Sequence, residues 1–412
     1  MPIMFGTGLS LHTGLPSNMR PEGDGKAGNG GPGGASGPGG IDTSRRPFVL
    51  VWELTQACEL ACKHCRADAQ PDRHPDELTT EEGKALLDSA REFGEGQLVV
   101  LSGGDPMARP DTVELARYGV DQGLRMTLTP SGTTALTGAD VEALADAGLR
   151  RMALSVDGVG RGHDEFRGED GSFAETLRVA RHANEVGLPL QINTTVCAET
   201  VGELPAIRDL VADLGAVLWS VFFLVPVGRG AVLDPITPER AEHVMEWLVE
   251  VNRDSPFGIK TTEAPHYRRV LAQQKREGTA TATDGGPPDG NPGEANGKPD
   301  GIGRRTGIVA GDGFAFVSHV GEVYPSGFLP QSAGNVREEC VVDIYRDSAL
   351  FQNLRDPDAL RGKCGACPFK NLCGGSRSRA FAYTGDPLES DPLCAYVPEG
   401  YDGPLPETLA GE

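Results

Sequence analysis

Residues 48–65 read FVLVWELTQACELACKHC. The opening seven are nearly all aliphatic or aromatic, which predicts a strand over 48–54 that is buried on both faces. Directly behind it, Cys58, Cys62 and Cys65 form a CxxxCxxC triplet on one short loop. A buried strand running into a loop of three thiols sets both the architecture to expect and the end of the sheet where chemistry should lie.

Downstream, apolar runs predict further strands at 97–102, 125–129, 151–156, 189–196 and 217–225. Amphipathic stretches between and after them predict helices near 79–92, 110–122, 138–147, 172–186, 203–214 and 237–253. Strands alternating with helices build a parallel sheet covered by helices. Six such units are too few for a closed eight-fold barrel. The fold expected is α/β, a partial (β/α)6 TIM-like barrel whose site lies at the C-terminal strand ends.

Glycine and proline divide the chain. Residues 21–41 and 278–303 are rich in both and carry too little apolar surface to offset the entropy of ordering them. The organisation expected is a disordered tail over 1–45, the barrel over 46–271, and a disordered insertion or linker over 272–306. A smaller unit follows over 307–398, with a tail over 399–412.

Lys and Arg total 38 against 59 Asp and Glu, a net charge of −21. That balance argues against nucleic acid, whose binding needs phosphate-neutralising cations, and against an anionic membrane face. No apolar run approaches the roughly 20 residues of a spanning helix, and the N-terminus lacks a signal pattern, so a cytoplasmic setting is expected. Only eight of the 38 basic residues are Lys. Acid-rich, Lys-poor composition resembles that of halophilic archaeal proteins, in which surface carboxylates maintain solubility in concentrated salt.

The triplet admits three readings. A structural zinc site needs a fourth ligand, and no Cys or His follows at a suitable spacing. A disulfide leaves one Cys over and conflicts with the absent signal. Three thiolates suit a four-iron cluster with one iron left open to a ligand.

The triplet, its place after the first strand, and Ser102-Gly103-Gly104-Asp105-Pro106 at the end of the second together resemble the radical S-adenosylmethionine superfamily. The resemblance covers about residues 46–270. It implies a [4Fe–4S] cluster on Cys58, Cys62 and Cys65, whose open iron chelates S-adenosylmethionine and cleaves it to a 5′-deoxyadenosyl radical. Gly103, Gly104 and Asp105 correspond to the family's GGE motif, with Asp in place of Glu as acceptor for the methionine ammonium. Further cofactor contacts are expected from Ser131, Ser155, Asp157 and Asn193 at strand ends, from Val227 beside the adenine, and from Arg167 towards the methionine carboxylate. His64 occupies the family's aromatic position. The family also implies a low-potential electron donor such as a ferredoxin or flavodoxin.

A second group comprises Cys364, Cys367, Cys373 and Cys394. Its spacing allows four thiolates around either zinc or an iron–sulfur cluster. With Gly321–Pro325 and Gly334-Asn335-Val336 it resembles the SPASM or twitch extension of radical enzymes, so that the smaller unit is expected to be an iron–sulfur domain. Ser326 and Arg377 stand where the full extension has cysteines, which implies one auxiliary [4Fe–4S] cluster rather than two. Cys197 and Cys340 are read as buried thiols.

One radical cluster with one auxiliary cluster resembles the haem-pathway enzymes that oxidise or trim tetrapyrrole side chains, and also enzymes that mature ribosomally made peptides. A tetrapyrrole is the substrate expected, with Arg229, Arg268 and Arg269 as carboxylate partners. A peptide substrate is the alternative, and a non-catalytic iron–sulfur protein a third.

Overall fold

The computed structural model describes residues 41–276 and 308–406. Most of the expected disordered tail (1–45) and insertion (272–306), and the end of the tail over 399–412, lie outside these residues; residues 272–276, read as the start of the insertion, are instead the end of a helix over His266–Arg276. The end of the expected tail is tied down: Thr43 O accepts the Tyr345 hydroxyl at 2.6 Å, and Ser44 O accepts from Arg355 at 3.1 Å.

Nine strands form one sheet: β1 (Val49–Glu53), β2 (Leu98–Ser102), β3 (Arg125–Leu128), β4 (Arg151–Ser155), β5 (Leu190–Val196), β6 (Leu218–Phe223), β7 (Gly258–Thr262), β8 (Phe314–Val317) and β9 (Val323–Tyr324). Their order is β7-β6-β5-β4-β3-β2-β1-β8-β9, with every pairing parallel except β8 with β9. The sheet curls into an open barrel, as expected from the alternating pattern. Two strands go beyond that reading. β7 extends the run to seven, and β8 pairs with the free edge of β1, Val49 facing Phe314 and Trp52 facing Val317. The smaller unit thus begins inside the barrel sheet.

The helices are α1 (Thr80–Arg91), α2 (Thr112–Asp121), α3 (Gly138–Asp146), α4 (Arg161–Arg167), α5 (Ser172–Glu185), α6 (Leu204–Asp213), α7 (Pro238–Asp254), α8 (His266–Arg276), α9 (Val341–Asp347), α10 (Ala349–Arg355), α11 (Gly362–Gly365) and α12 (Arg377–Thr384). α1 and α3 begin with capping boxes, Thr79 with Glu82 and Thr137 with Asp140, which satisfy N–H groups that a helix start leaves open. Their apolar faces meet the outward strand residues in one core around Trp52, Leu101, Met126, Leu154, Ile192 and Trp219. Buried Arg109 stitches the first turn of this structure together. It donates to Leu54 O at 3.1 Å and Leu78 O at 2.7 Å, and its fork rests on Asp111.

Candidate active site

In a strand, successive side chains alternate between faces. The inward set lines a cavity of about 330 Å³. Arg151, Ala153 and Ser155 on β4, and Gln191, Asn193 and Thr195 on β5, all face it. Its upper end is the cysteine loop and its walls include Phe222, Phe314 and Phe316.

The loop is fixed by backbone contacts. Cys58 N–H donates to Gln70 O at 2.8 Å, and Lys63 N–H to Phe166 O at 3.0 Å. Gly104 N–H donates to Thr55 O at 2.8 Å. A Cβ on Gly104 would lie 2.3 Å from Ala57 O, so only glycine lets the end of β2 pass this close beneath the loop. Arg229 closes the other side: its guanidinium donates to Cys62 O and Ala69 O, both at 2.9 Å, and its N–H to Cys65 O at 3.0 Å. Arg229 is therefore a clamp on the loop, which corrects its expected role as a substrate partner.

All three thiols line the cavity. Cys58 Sγ lies 3.4 Å from the Ser131 hydroxyl, and Leu60 and Ala69 N–H groups point at the sulfurs of Cys58 and Cys65, each at 3.4 Å. Burial pushes the thiols of Cys58 and Cys62 up, while Arg167 pulls both down. Arg167 is not the solvated loop residue that its sequence context allowed. It ends α4, is 6 % exposed, and donates to Ser131 O at 3.2 Å. Burial would lower its pKa, but Cys62 and Asp157 outweigh that and hold it charged.

Among the expected cofactor residues, Gly103, Gly104, Ser131, Ser155, Arg167 and Asn193 face the cavity with the three cysteines. Asp105, Asp157 and Val227 do not, for different reasons. Asp105 turns away to accept from Met107 N–H at 3.1 Å, Ser131 N–H at 3.3 Å and the Thr133 hydroxyl at 3.2 Å, and burial raises its carboxyl. It thereby positions Ser131. Asp157 accepts from Thr195 N–H at 2.7 Å and stands behind Arg167, 3.6 Å away, and His64, 3.7 Å away. The 227–230 loop contributes Arg229 to the wall in place of Val227. His64 stacks on Phe166 with ring centroids 4.8 Å apart.

Asp157 Oδ2, Arg167 Nε and His64 Nδ1 are buried without a hydrogen-bond partner. Unsatisfied polar atoms of this kind cost free energy unless a ligand completes them. With three thiols alongside, the donor set fits a thiolate-bound cluster carrying a charged, polar ligand.

The second cysteine group also converges. Cys364, Cys367, Cys373 and Cys394 line a small cavity with His266, Arg269, Lys363 and Tyr396. Phe369 and Gly375 N–H groups point at Cys367 and Cys373 sulfurs, both at 3.4 Å, and Arg377 Nη2 lies 3.6 Å from Cys364 Sγ. Among the described residues no three or more His, Cys, Asp or Glu side chains form a group able to hold a single metal ion. Arg269 forks onto Glu242 and lies over Tyr396, and Arg268 lies close enough to Cys373 for its charge to be felt. Arg269 lines this second site and Arg268 lies near its Cys373, away from the role expected of them as substrate partners. Cys197 is fully buried beside Thr200, while Cys340 is only half-buried at the start of α9.

Glu263 joins the two sites. Its carboxylate accepts from the hydroxyls of Ser326, Ser376 and Ser378 at 3.1, 2.5 and 2.9 Å, and it holds a positive φ of 55°. Sequence reading missed this bridge, and it missed Arg151. For Arg151 a signal existed, because a residue four before Ser155 on one strand shares its face.

A three-cysteine loop at the mouth of an open parallel barrel is the arrangement of one superfamily, and the sequence signature of the radical SAM superfamily matches residues 52–211. The chain belongs to that superfamily. It is 42% identical over 361 residues to the AdoMet-dependent heme synthase of Methanosarcina barkeri, covering 87% of this chain and 99% of that protein. It is 30% identical over 365 residues to the PqqA peptide cyclase of Bradyrhizobium diazoefficiens, covering 85% of this chain and 87% of the relative. Its fold is shared with Streptococcus suis SuiB bound to S-adenosylmethionine, at a TM-score of 0.64 and 18% identity over 85% of this chain and 78% of that one. Membership implies S-adenosylmethionine and a [4Fe–4S] cluster as cofactors. No helix among the described residues is long and apolar enough to cross a membrane.

Proposed function

We propose that this chain is a haem-forming radical enzyme that oxidises, decarboxylates or removes carboxylate side chains of a tetrapyrrole. The observation that carries the reading is the likeness to the Methanosarcina barkeri heme synthase, which spans nearly that protein's whole length. A peptide-maturing activity has weaker support, since the peptide cyclase relative is less similar.

Cys58, Cys62 and Cys65 would hold the radical cluster, and Ser131, Ser155, Asn193 and Arg167 would hold S-adenosylmethionine. Bound there, these groups would supply one-electron reductive chemistry and the hydrogen abstraction on which oxidation of a carboxylate side chain depends. The chain's own residues prepare that event. Arg167, charged and backed by Asp157, offers a guanidinium to a carboxylate. Ser131, fixed by Asp105, keeps its hydroxyl against Cys58. The aromatic walls exclude water from a reactive radical.

Cys364, Cys367, Cys373 and Cys394 would hold one auxiliary [4Fe–4S] cluster, which suits uptake of an electron from that oxidation. Support comes from the four thiols lining one small cavity, the ligand number a four-iron cluster takes. Lys363, Arg269 and Arg377 supply positive charge around such an anionic group. A ferredoxin or flavodoxin would deliver the starting electron. The acidic, Lys-poor composition supports a halophilic archaeal source.

The test is anaerobic incubation with iron-coproporphyrin and with didecarboxysirohaem, plus S-adenosylmethionine and reductant, followed by mass analysis. Loss of side-chain mass from one of them is expected. No change in either, with modification of a peptide encoded beside the gene, would overturn the reading.

A further inference from the structure

Arg151 opens β4, four residues below Ser155 and on the same face. At about 3.3 Å per residue, it lies roughly 13 Å below the cofactor end of the cavity. It lines that cavity together with Gln191 and Lys260, next to the rings of Phe314 and Phe316.

Its electrostatic surroundings are unusual for an arginine this enclosed. Burial lowers it to about 10, and Arg125 and Arg150 push in the same direction. Among the described residues no carboxylate forms an ion pair with Arg151. Yet 59 acidic residues were available to a chain of net charge −21. The buried arginines all find acceptors: Arg109, Arg167, Arg269 and Arg379 lie against an Asp or Glu, and Arg377 donates to the backbone carbonyls of Gly375, Pro387 and Glu389. Arg151 is half-buried and lines the cavity; a partly desolvated charge without a counter-ion costs some stability, which an anionic ligand in that cavity would offset.

We infer that Arg151, with Gln191 beside it, binds one carboxylate of the substrate at the floor of the barrel. The inference rests on the tetrapyrrole reading and deepens it. A carboxylate anchored there is too far from the cysteine loop to react, so the substrate carries at least two acidic arms. One is held at the floor while another is presented to the radical. A rigid, flat macrocycle with arms on opposite edges meets that requirement, and the apolar strand residues and aromatic rings between the two ends suit its faces. Arg151 therefore determines specificity: it selects substrates by a group distant from the one transformed.

The test compares parent, Arg151→Met and Arg151→Lys. The readouts are the optical titration of iron-coproporphyrin and didecarboxysirohaem, and the thermal midpoint of ligand-free protein. Arg151→Met should weaken binding of the substrate by about tenfold to a hundredfold, the loss of a charge-assisted bond. Its midpoint should stay or rise, because an unpaired, half-buried charge has gone, and Arg151→Lys should recover most of the affinity. The fully methyl-esterified tetrapyrrole should bind parent and Arg151→Met alike. Equal affinity of parent and Arg151→Met for the free acid would overturn the inference, as would a midpoint several degrees lower with affinity unchanged, which marks a structural cation. A parent that binds neither tetrapyrrole overturns the functional reading itself and this inference with it.

Discussion

Arg379, on α12 of the C-terminal unit, donates to both carboxylate oxygens of Asp391, at 3.2 and 3.1 Å, and neither residue is exposed. The same guanidinium reaches the barrel, donating to Leu224 O and Phe223 O at 3.1 Å and to Glu263 O at 2.8 Å. His266 approaches Asp391 from the other side at 3.0 Å. One buried ion pair thus locks the second cysteine site to the end of β6 and fixes its place against the barrel.

Replacing Arg379 with Ala leaves Asp391 buried without its main counter-ion and strips three carbonyls of a donor. A loss of about 3–5 kcal/mol is expected, as for other broken buried pairs. Urea unfolding of the two proteins checks it. Burial would raise the Asp391 carboxyl, but Arg379 and His266 hold it well below the ordinary range. Its stabilisation is therefore fully present above about pH 4, the unfolded value, and is lost only as pH falls below that.

His163 gives stability a second pH dependence in a higher window. Burial, with Arg167 adding to it, lowers its imidazole to about 4. Between about 4 and the unfolded value of roughly 6.5, the unfolded chain binds a proton that the native one does not. Stability from this group is complete above about 6.5 and falls as pH drops towards 4. Thermal midpoints should decline over that interval, and His163→Phe should flatten the slope. An unchanged slope in the variant would contradict the assignment.

Arg167→Met should keep the cluster but weaken S-adenosylmethionine binding by about tenfold to a hundredfold, with Arg167→Lys between the two. Calorimetric titration of the reconstituted proteins measures it. Equal affinities would return Arg167 to a purely structural role beside Asp157.

Much of this site was legible in the sequence, and the parts that were not share a cause. The triplet, Gly103-Gly104, Ser131, Ser155 and Asn193 fall at predicted strand ends, and parallel topology sends all such ends to one side. Asp105 and Asp157 were placed on the correct end, but their hydrogen bonds to the N–H groups of Met107 and Thr195 were not foreseen, since a carboxylate beside a turn finds such groups first. Arg229 and Arg269 failed as substrate partners for the reason that an acidic protein's arginines usually do: backbone carbonyls and neighbouring acids claim them. β8 was unreadable because its partner, β1, lies more than 260 residues earlier in the chain, and no local pattern announces a pairing that distant.

Iron content separates the two readings of the second cysteine group. Anaerobically prepared protein should hold about eight iron atoms, the sum of two four-iron clusters, and Cys364→Ala should fall towards four. About four iron with one zinc in the parent would instead establish a structural zinc site.

The central claim is that Cys58, Cys62 and Cys65 form the centre that cleaves S-adenosylmethionine. Its most direct test is 5′-deoxyadenosine formation by dithionite-reduced, reconstituted protein, parent against Cys62→Ala. The parent should form it and the variant should not, because two thiolates hold a four-iron cluster poorly. Undiminished cleavage by a fully reconstituted Cys62→Ala protein would contradict the account.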